Sequence, residues 1–184
     1  MNINLVAVLL TLILGTSGRT VAMEAPLEPS IKFLQEKKLV GMTTTMSLRK
    51  NQTASLWRAF MGNRQKIQNG VGTLLYSIQI FEPDYFVEIN PDNEFVKWAA
   101  LEVTDYNSTP EGFQTLTIPA GWYAVFAYHA KTAEASEFFR YIFQDWLLKS
   151  EYDLDTRPHF EILGDKYRRH HPNSEEEVWI PIRR

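Results

Sequence analysis

The apolar positions of the chain change rhythm in a fixed order, and that order occurs twice. Residues 38–48 (KLVGMTTTMSL) are rich in Val, Thr and Met, the composition of a half-buried strand. A helical stretch follows, in which Leu56/Trp57 and Phe60/Met61 form apolar doublets four residues apart. Asn51 or Thr53 stands where a side-chain oxygen can accept an orphan backbone N–H at the helix start. Asn69-Gly70-Val71-Gly72 ends the segment. Residues 74–81 and 95–103 then read as two strands, separated by the turn material Glu82-Pro83-Asp84 and Asn90-Pro91-Asp92-Asn93.

Beyond a polar connection at 104–112 the elements return in the same order. Residues 113–118 lead through Pro119 and Gly121 into a strand at 122–129. The helix expected at 132–148 carries Phe138/Phe139, Ile142/Phe143 and Trp146/Leu147, doublets whose spacing stacks all six side chains on one face. Pro158 opens a strand at 159–163, and 177–182 is the last. Strand, helix, strand, strand thus occurs twice. The expected fold is α+β: duplicated β-α-β-β units, related by a pseudo-twofold, forming one antiparallel sheet with two main helices against it.

Alternation within the closing strand of each unit separates core from candidate chemistry. In 177–182, Val178, Ile180 and Ile182 share one face, which leaves Glu177 and Trp179 on the other. In 95–103, Ala99, Leu101 and Val103 share a face, opposite Trp98, Ala100 and Glu102. Each unit therefore ends on a strand whose non-core face carries one tryptophan and one carboxylate. A carboxylate between aromatic walls is disfavoured by desolvation, and a cationic ligand or a proton relieves that penalty. Aromatic faces add cation–π attraction and stack on flat rings. Solvated surface carboxylates are the alternative reading of both Glu102 and Glu177.

Composition narrows the picture. The 184 residues suit one domain, and the absence of cysteine excludes disulfides, thiolate metal sites and a cysteine nucleophile. A net charge of −3 argues against direct nucleic-acid binding, which needs a basic face. His170-His171 lacks metal-ligand spacing, so no metal is expected. His129 and His159 read as hydrogen-bonded structural histidines. No nucleophile elbow, glycine-rich phosphate loop or zinc-protease helix appears, and no cofactor is expected.

Residues 5–14 are apolar save for Thr11, too short a run to span a bilayer but suited to a secretory signal. Met1–Asn4 carry no basic residue, and translation from Met23 is the competing reading. The expected organisation is a signal-like or mis-assigned leader at 1–25, a linker at 26–30 and a single domain at 31–184. Export follows if 1–22 is a signal peptide, and a cytoplasmic location if it is not.

The segments KLVGMTTTMSL, LWRAFM, LLYSIQIF, FVKWAALEV, IPAGWYAVFAYHA, YIFQDWLLKSEYDLDTRPHFEILG and SEEEVWIPI resemble, in order, the GyrI-like family, or AraC-type effector-binding domain. The resemblance implies a tandem β-α-β-β fold enclosing a cleft for lipophilic, often cationic or flat aromatic molecules. It also implies a last-strand cleft glutamate, which by motif position is Glu177. The ligand-binding set expected here is Glu177, Trp179, Trp98, Glu102, Tyr123 and Tyr76, the two tyrosines placed by pattern alone. The leading function is a stand-alone small-molecule-binding module with a regulator-related or toxin-protection role. The alternatives are a hydrolase of cyclopropane-bearing toxins, using a cleft glutamate as general acid/base, and a protein partner role such as gyrase modulation.

Overall fold

The computed structural model describes residues 28–86, 90–129, 135–168, 171 and 173–184. Strands β1 (Ser30–Leu34) and β2 (Lys37–Ser47) precede helix α1 (Thr53–Asn63), a 3₁₀ turn (Arg64–Lys66), β3 (Gly70–Ile80) and β4 (Glu94–Val103). Then come β5 (Gln114–Ile118), β6 (Gly121–His129), helix α2 (Ala135–Arg140), a wider π-helical stretch (Tyr141–Trp146) and α3 (Leu147–Lys149). Strands β7 (Asp153–Leu154), β8 (His159–Leu163) and β9 (Glu175–Arg183) complete the chain. The start of the expected second helix, residues 132–134, lies outside the described residues, as do the leader, His170 and residues 26–27 of the expected linker.

Eight strands pair in the order β1-β6-β9-β8-β3-β4-β2-β5, and β7 pairs with the far end of β9. The two β-α-β-β units are β2-α1-β3-β4 and β6-α2-β8-β9, and they meet at the antiparallel β3–β8 pair. Their registers repeat 84 residues apart, 30 to 114, 37 to 121 and 77 to 161, so Ser77 and Glu161 face each other at the pseudo-twofold. The closing strands follow another offset. Ala100 pairs with Tyr76 as Trp179 pairs with Phe160. Trp98 consequently corresponds to Glu177, and Glu102 to Pro181. The two tryptophan–glutamate pairs lie on one face of the sheet but are not symmetry mates.

Connection lengths force the sheet to curl. β1 and β2 stand six positions apart in the strand order, about 29 Å in a flat sheet. Only Gln35 and Glu36 join them, and three Cα steps reach about 11 Å. Pro119 and Ala120 impose the same limit between β5 and β6. The sheet bends until its ends approach, giving an inner face and an outer, helix-bearing face. Leu34, Leu39, Ile118 and Tyr123, drawn from both ends of the strand order, share one inner cluster with Tyr76, Trp98, Phe160 and Trp179.

On the outer face, α1 packs Leu56 and Phe60 onto Val40, Ala99 and Val103. The second helix packs Phe138, Ile142, Phe143 and Leu147 onto Ala124, Phe126, Val178, Ile180 and Ile182. Doublets four residues apart drift about 40° per step at 3.6 residues per turn. The wider winding of the π-helical stretch takes up that drift, so Phe143 still faces the sheet. At the start of α1 the N-cap is Gln52, which makes no side-chain cap hydrogen bond among the described residues, and Asn51 just before it accepts the Thr53 N–H on Oδ1 at 2.9 Å. Met61 turns outward, unlike the other members of its doublets. β1 begins at Ser30, within the expected linker. Only its last residue, Leu34, is buried, so it shows no alternation to read.

Gly41 in β2 is required by close approach to its neighbour. A Cβ there would collide with the Ala99 carbonyl oxygen and with the Ala100 Cβ and Cα. Gly41→Ala is expected to destabilise the fold by about 2–3 kcal/mol, read as a lower urea midpoint at unchanged slope.

Candidate functional site

All six sequence-predicted ligand residues fall on the inner face. Tyr76, Trp98, Tyr123 and Trp179 are buried members of its core, with Tyr123–Trp179, Tyr123–Phe160 and Phe160–Trp179 ring centroids 5.8, 5.3 and 5.4 Å apart. Glu102 accepts from the Tyr76 hydroxyl at 3.1 Å and from Lys37 Nζ at 2.8 Å on both oxygens. Burial, followed by the charge of Glu102, pushes the Tyr76 hydroxyl pKa up. Glu177 accepts from the Trp179 indole N–H at 3.0 Å and from Lys32 Nζ at 3.2 Å. Lys32 also lies over the Trp179 ring, 5.4 Å from its centroid. The face expected to be non-core is thus an interior, and both its carboxylates already hold lysine counter-ions. Lys32 belongs to β1 and Lys37 opens β2, and no local periodicity marks either as a partner of these carboxylates.

An open cavity lies on the other face. Leu48, Phe81, Tyr85, Phe86, Phe95, Phe139 and Phe143 wall a cavity of about 150 Å³ that opens to solvent. Its floor is Gln79, His159, Phe160, Glu161, Val178 and Ile180. None of the six predicted residues lines it. Of the residues missed from sequence, Gln79, His159 and Glu161 line the cavity, and Lys97 and Glu176 interact electrostatically with Glu161 beside it. Alternation marks only Lys97, which interrupts a helix-facing row between Phe95 and Ala99.

At the pseudo-twofold the floor is polar. The Gln79 side-chain amide donates to Glu161 Oε1 at 3.0 Å, and Lys97 Nζ stands 3.7 Å from Glu161 Oε2. Burial lowers the Lys97 pKa below its ordinary value, and Glu161 opposes that shift. Glu176, on β9, points to the same side as Val178 and makes no hydrogen bond or ion pair among the described residues. Burial, reinforced by the charge of Glu161, pushes its carboxyl from the ordinary 4.5 up to about 7. His159, expected to be a hydrogen-bonded structural histidine, instead sits among Phe81, Phe86 and Phe143 with no hydrogen bond among the described residues. Burial drives its pKa down to about 3. His129 ends β6 beside Glu175, with Nδ1 3.8 Å from Oε1.

A model of the GyrI-like small molecule binding domain matches residues 27–183. The chain belongs to this family. Over 93 residues this GyrI-like domain is 30% identical to the transcriptional regulator BrlR of Pseudomonas aeruginosa, an alignment covering 50% of the chain and 34% of that regulator. The chain therefore matches about a third of that relative's length. The structure of SAV2435 bound to tetraphenylphosphonium superposes with a TM-score of 0.64 at 19% identity, covering 85% of this chain and 94% of the other. The EcmrR C-terminal domain gives 0.60 at 16% identity, covering 87% and 99%. A hydrolase from Listeria innocua gives 0.53 at 12% identity, covering 87% and 94%. Likeness at these identities shows the shared fold. The GyrI-like domain is a small-molecule-binding domain.

Proposed function

We propose that this GyrI-like domain binds lipophilic, flat or cationic aromatic molecules in the cavity over β8, as a sensor or sequestering protein. The observation that carries this reading is the pairing of an aromatic-walled cavity, lined by Glu161, with the half-buried Glu176 beside it, two carboxylates that share the buried charge of Lys97. Phenylalanine walls exchange water for ring contacts, and the carboxylate gives a bound cation the partner that its burial otherwise lacks. SAV2435, which shares the fold, is a protein whose structure holds such a cation.

The test is calorimetric titration with tetraphenylphosphonium across the pH range around 7. Raising a carboxyl pKa means that the folded protein holds a proton the unfolded chain has released. The empty protein therefore loses stability as pH rises from about 4.5 to about 7. A bound cation favours the ionised form, so affinity should climb by about tenfold as pH passes through 7 and then level. Glu176→Gln should flatten the profile at its low-pH affinity. A profile with no pH dependence in the unaltered protein would count against the role given to Glu176.

The inner face supports a second reading. Tyr76, Glu102, Tyr123, Glu177 and Trp179 converge there, and the Trp98 indole N–H is buried without a hydrogen-bond partner among the described residues. Ligand entry on that side requires Lys32 and Lys37 to leave Glu177 and Glu102, so it predicts that Lys37→Met strengthens binding of a cation.

A further inference from the structure

The outer cavity has the capacity of one aromatic ring. Its volume is about 150 Å³, the size at which a void lined by leucine, isoleucine and phenylalanine accepts a benzene molecule. Phe81, Phe86, Phe95, Phe139 and Phe143 stand around it. These walls hold one another in place. Phe81 lies 4.9 Å from Phe86 and 5.2 Å from Phe95, while Phe86 and Phe143 stack on His159 at 6.0 and 6.3 Å, all between ring centroids. Rings packed against rings compress little, so small adjustments do not make room for a second fused ring.

Charge restricts the ligand as size does. Glu161 lines the cavity, with Lys97 Nζ 3.7 Å from its Oε2 and Glu176 acting on both. Two carboxylates set against one ammonium leave a single negative charge when all three are ionised. His159 and Glu161 both line the cavity and stand two positions apart on β8, about 7 Å along the strand. An ion contact spans about 4 Å of that distance. A charge one carbon away from a ring therefore reaches Glu161 while the ring lies against the aromatic walls.

Resting on the assignment of this cavity as the ligand site, we infer that its ligand class is the single-ring arylalkyl monocation. One benzene-sized ring fills the aromatic walls, and the positive charge beside it meets Glu161. Tetraphenylphosphonium then enters by one of its rings and leaves the others at the mouth, where the cavity opens to solvent.

Benzyltrimethylammonium and (1-naphthylmethyl)trimethylammonium, titrated calorimetrically into the unaltered protein and into Phe139→Ala, test this. The naphthyl cation is the more lipophilic, so transfer from water alone ranks it first. The one-ring limit reverses that order, because overpacking a rigid site is penalised. The unaltered protein should bind the benzyl cation about tenfold more tightly. Phe139 is only partly buried, so its truncation opens the wall at less cost than that of a core phenylalanine. Phe139→Ala, confirmed as folded by its melting curve, should bring the two affinities level or invert their order. A naphthyl cation bound as tightly as the benzyl one by the unaltered protein, or a tenfold preference kept in Phe139→Ala, would overturn the one-ring limit while leaving the cavity assignment standing. Uptake of tetraphenylphosphonium with neither ammonium bound would do the same. Failure of all three cations to bind would overturn both.

Discussion

Arg157→Met should unfold at a markedly lower urea concentration, having lost about 3–5 kcal/mol of stability. Arg157 leads into β8, and its guanidinium ties together three parts of the chain. It pairs through Nε with Asp155 at 2.9 Å, and its Nη2 donates to the carbonyls of Trp122 at 2.8 Å and Ile182 at 3.0 Å. It also covers the Tyr123 ring, 4.7 Å from the centroid. Its side chain is largely buried, and methionine keeps much of the volume while removing every donor. The carboxylate of Asp155 and two strand-end carbonyls then lose their partner. Gly121 is part of the same clamp, because a Cβ at that position would occupy the space of the guanidinium. Gly121→Ala should therefore displace Arg157 and add little further loss in the double variant. Equal, additive losses would mean that the two residues act separately.

Lys97→Met should destabilise the empty protein by about 3 kcal/mol and tighten its binding of tetraphenylphosphonium by tenfold or more. Lys97 is a resident cation beneath the cavity floor, buried and 3.7 Å from Glu161. Without it Glu161 retains only the Gln79 amide, and the floor holds two carboxylates with no counter-ion among them. The empty protein bears that as lost stability. A cationic ligand takes the place of the ammonium, and binding restores stability in proportion to its occupancy. Melting curves with and without the phosphonium read both effects. Unchanged or weaker binding in Lys97→Met would show that Lys97 and the ligand do not compete for the same carboxylates.

Much of the fold was legible in the sequence because it is written in local periodicity. The doublets of both helices gave their buried faces, and the alternation of Val178, Ile180 and Ile182 against Glu177 and Trp179 gave the two faces of β9. The repeated order of strand, helix, strand, strand gave the duplicated architecture. What periodicity cannot report is closure. The two-residue connections that curl the sheet turn the face of Trp98, Glu102, Glu177 and Trp179 from a surface into an interior, and bring Lys32 and Lys37 onto its carboxylates. The lining of the cavity was hidden for a related reason. Glu161 and Lys97 belong to different units and meet only through the β3–β8 register, whereas the tryptophan–glutamate pairs, visible along single strands, are not equivalent positions. His159 looked like an ordinary strand-end histidine because its phenylalanine neighbours come from the 81–95 connection and the second helix.

Binding over β8 on the outer face separates Glu161→Gln from Glu177→Gln in tetraphenylphosphonium affinity, each variant being confirmed as folded by its melting curve. Glu161→Gln removes the partner of Lys97 and leaves a buried positive charge beneath the cavity, so affinity should fall by tenfold or more. Glu177→Gln alters only the inner face and should leave affinity unchanged. The reverse pattern, with Glu177→Gln losing the cation and Glu161→Gln retaining it, would contradict the account and place the ligand on the inner face.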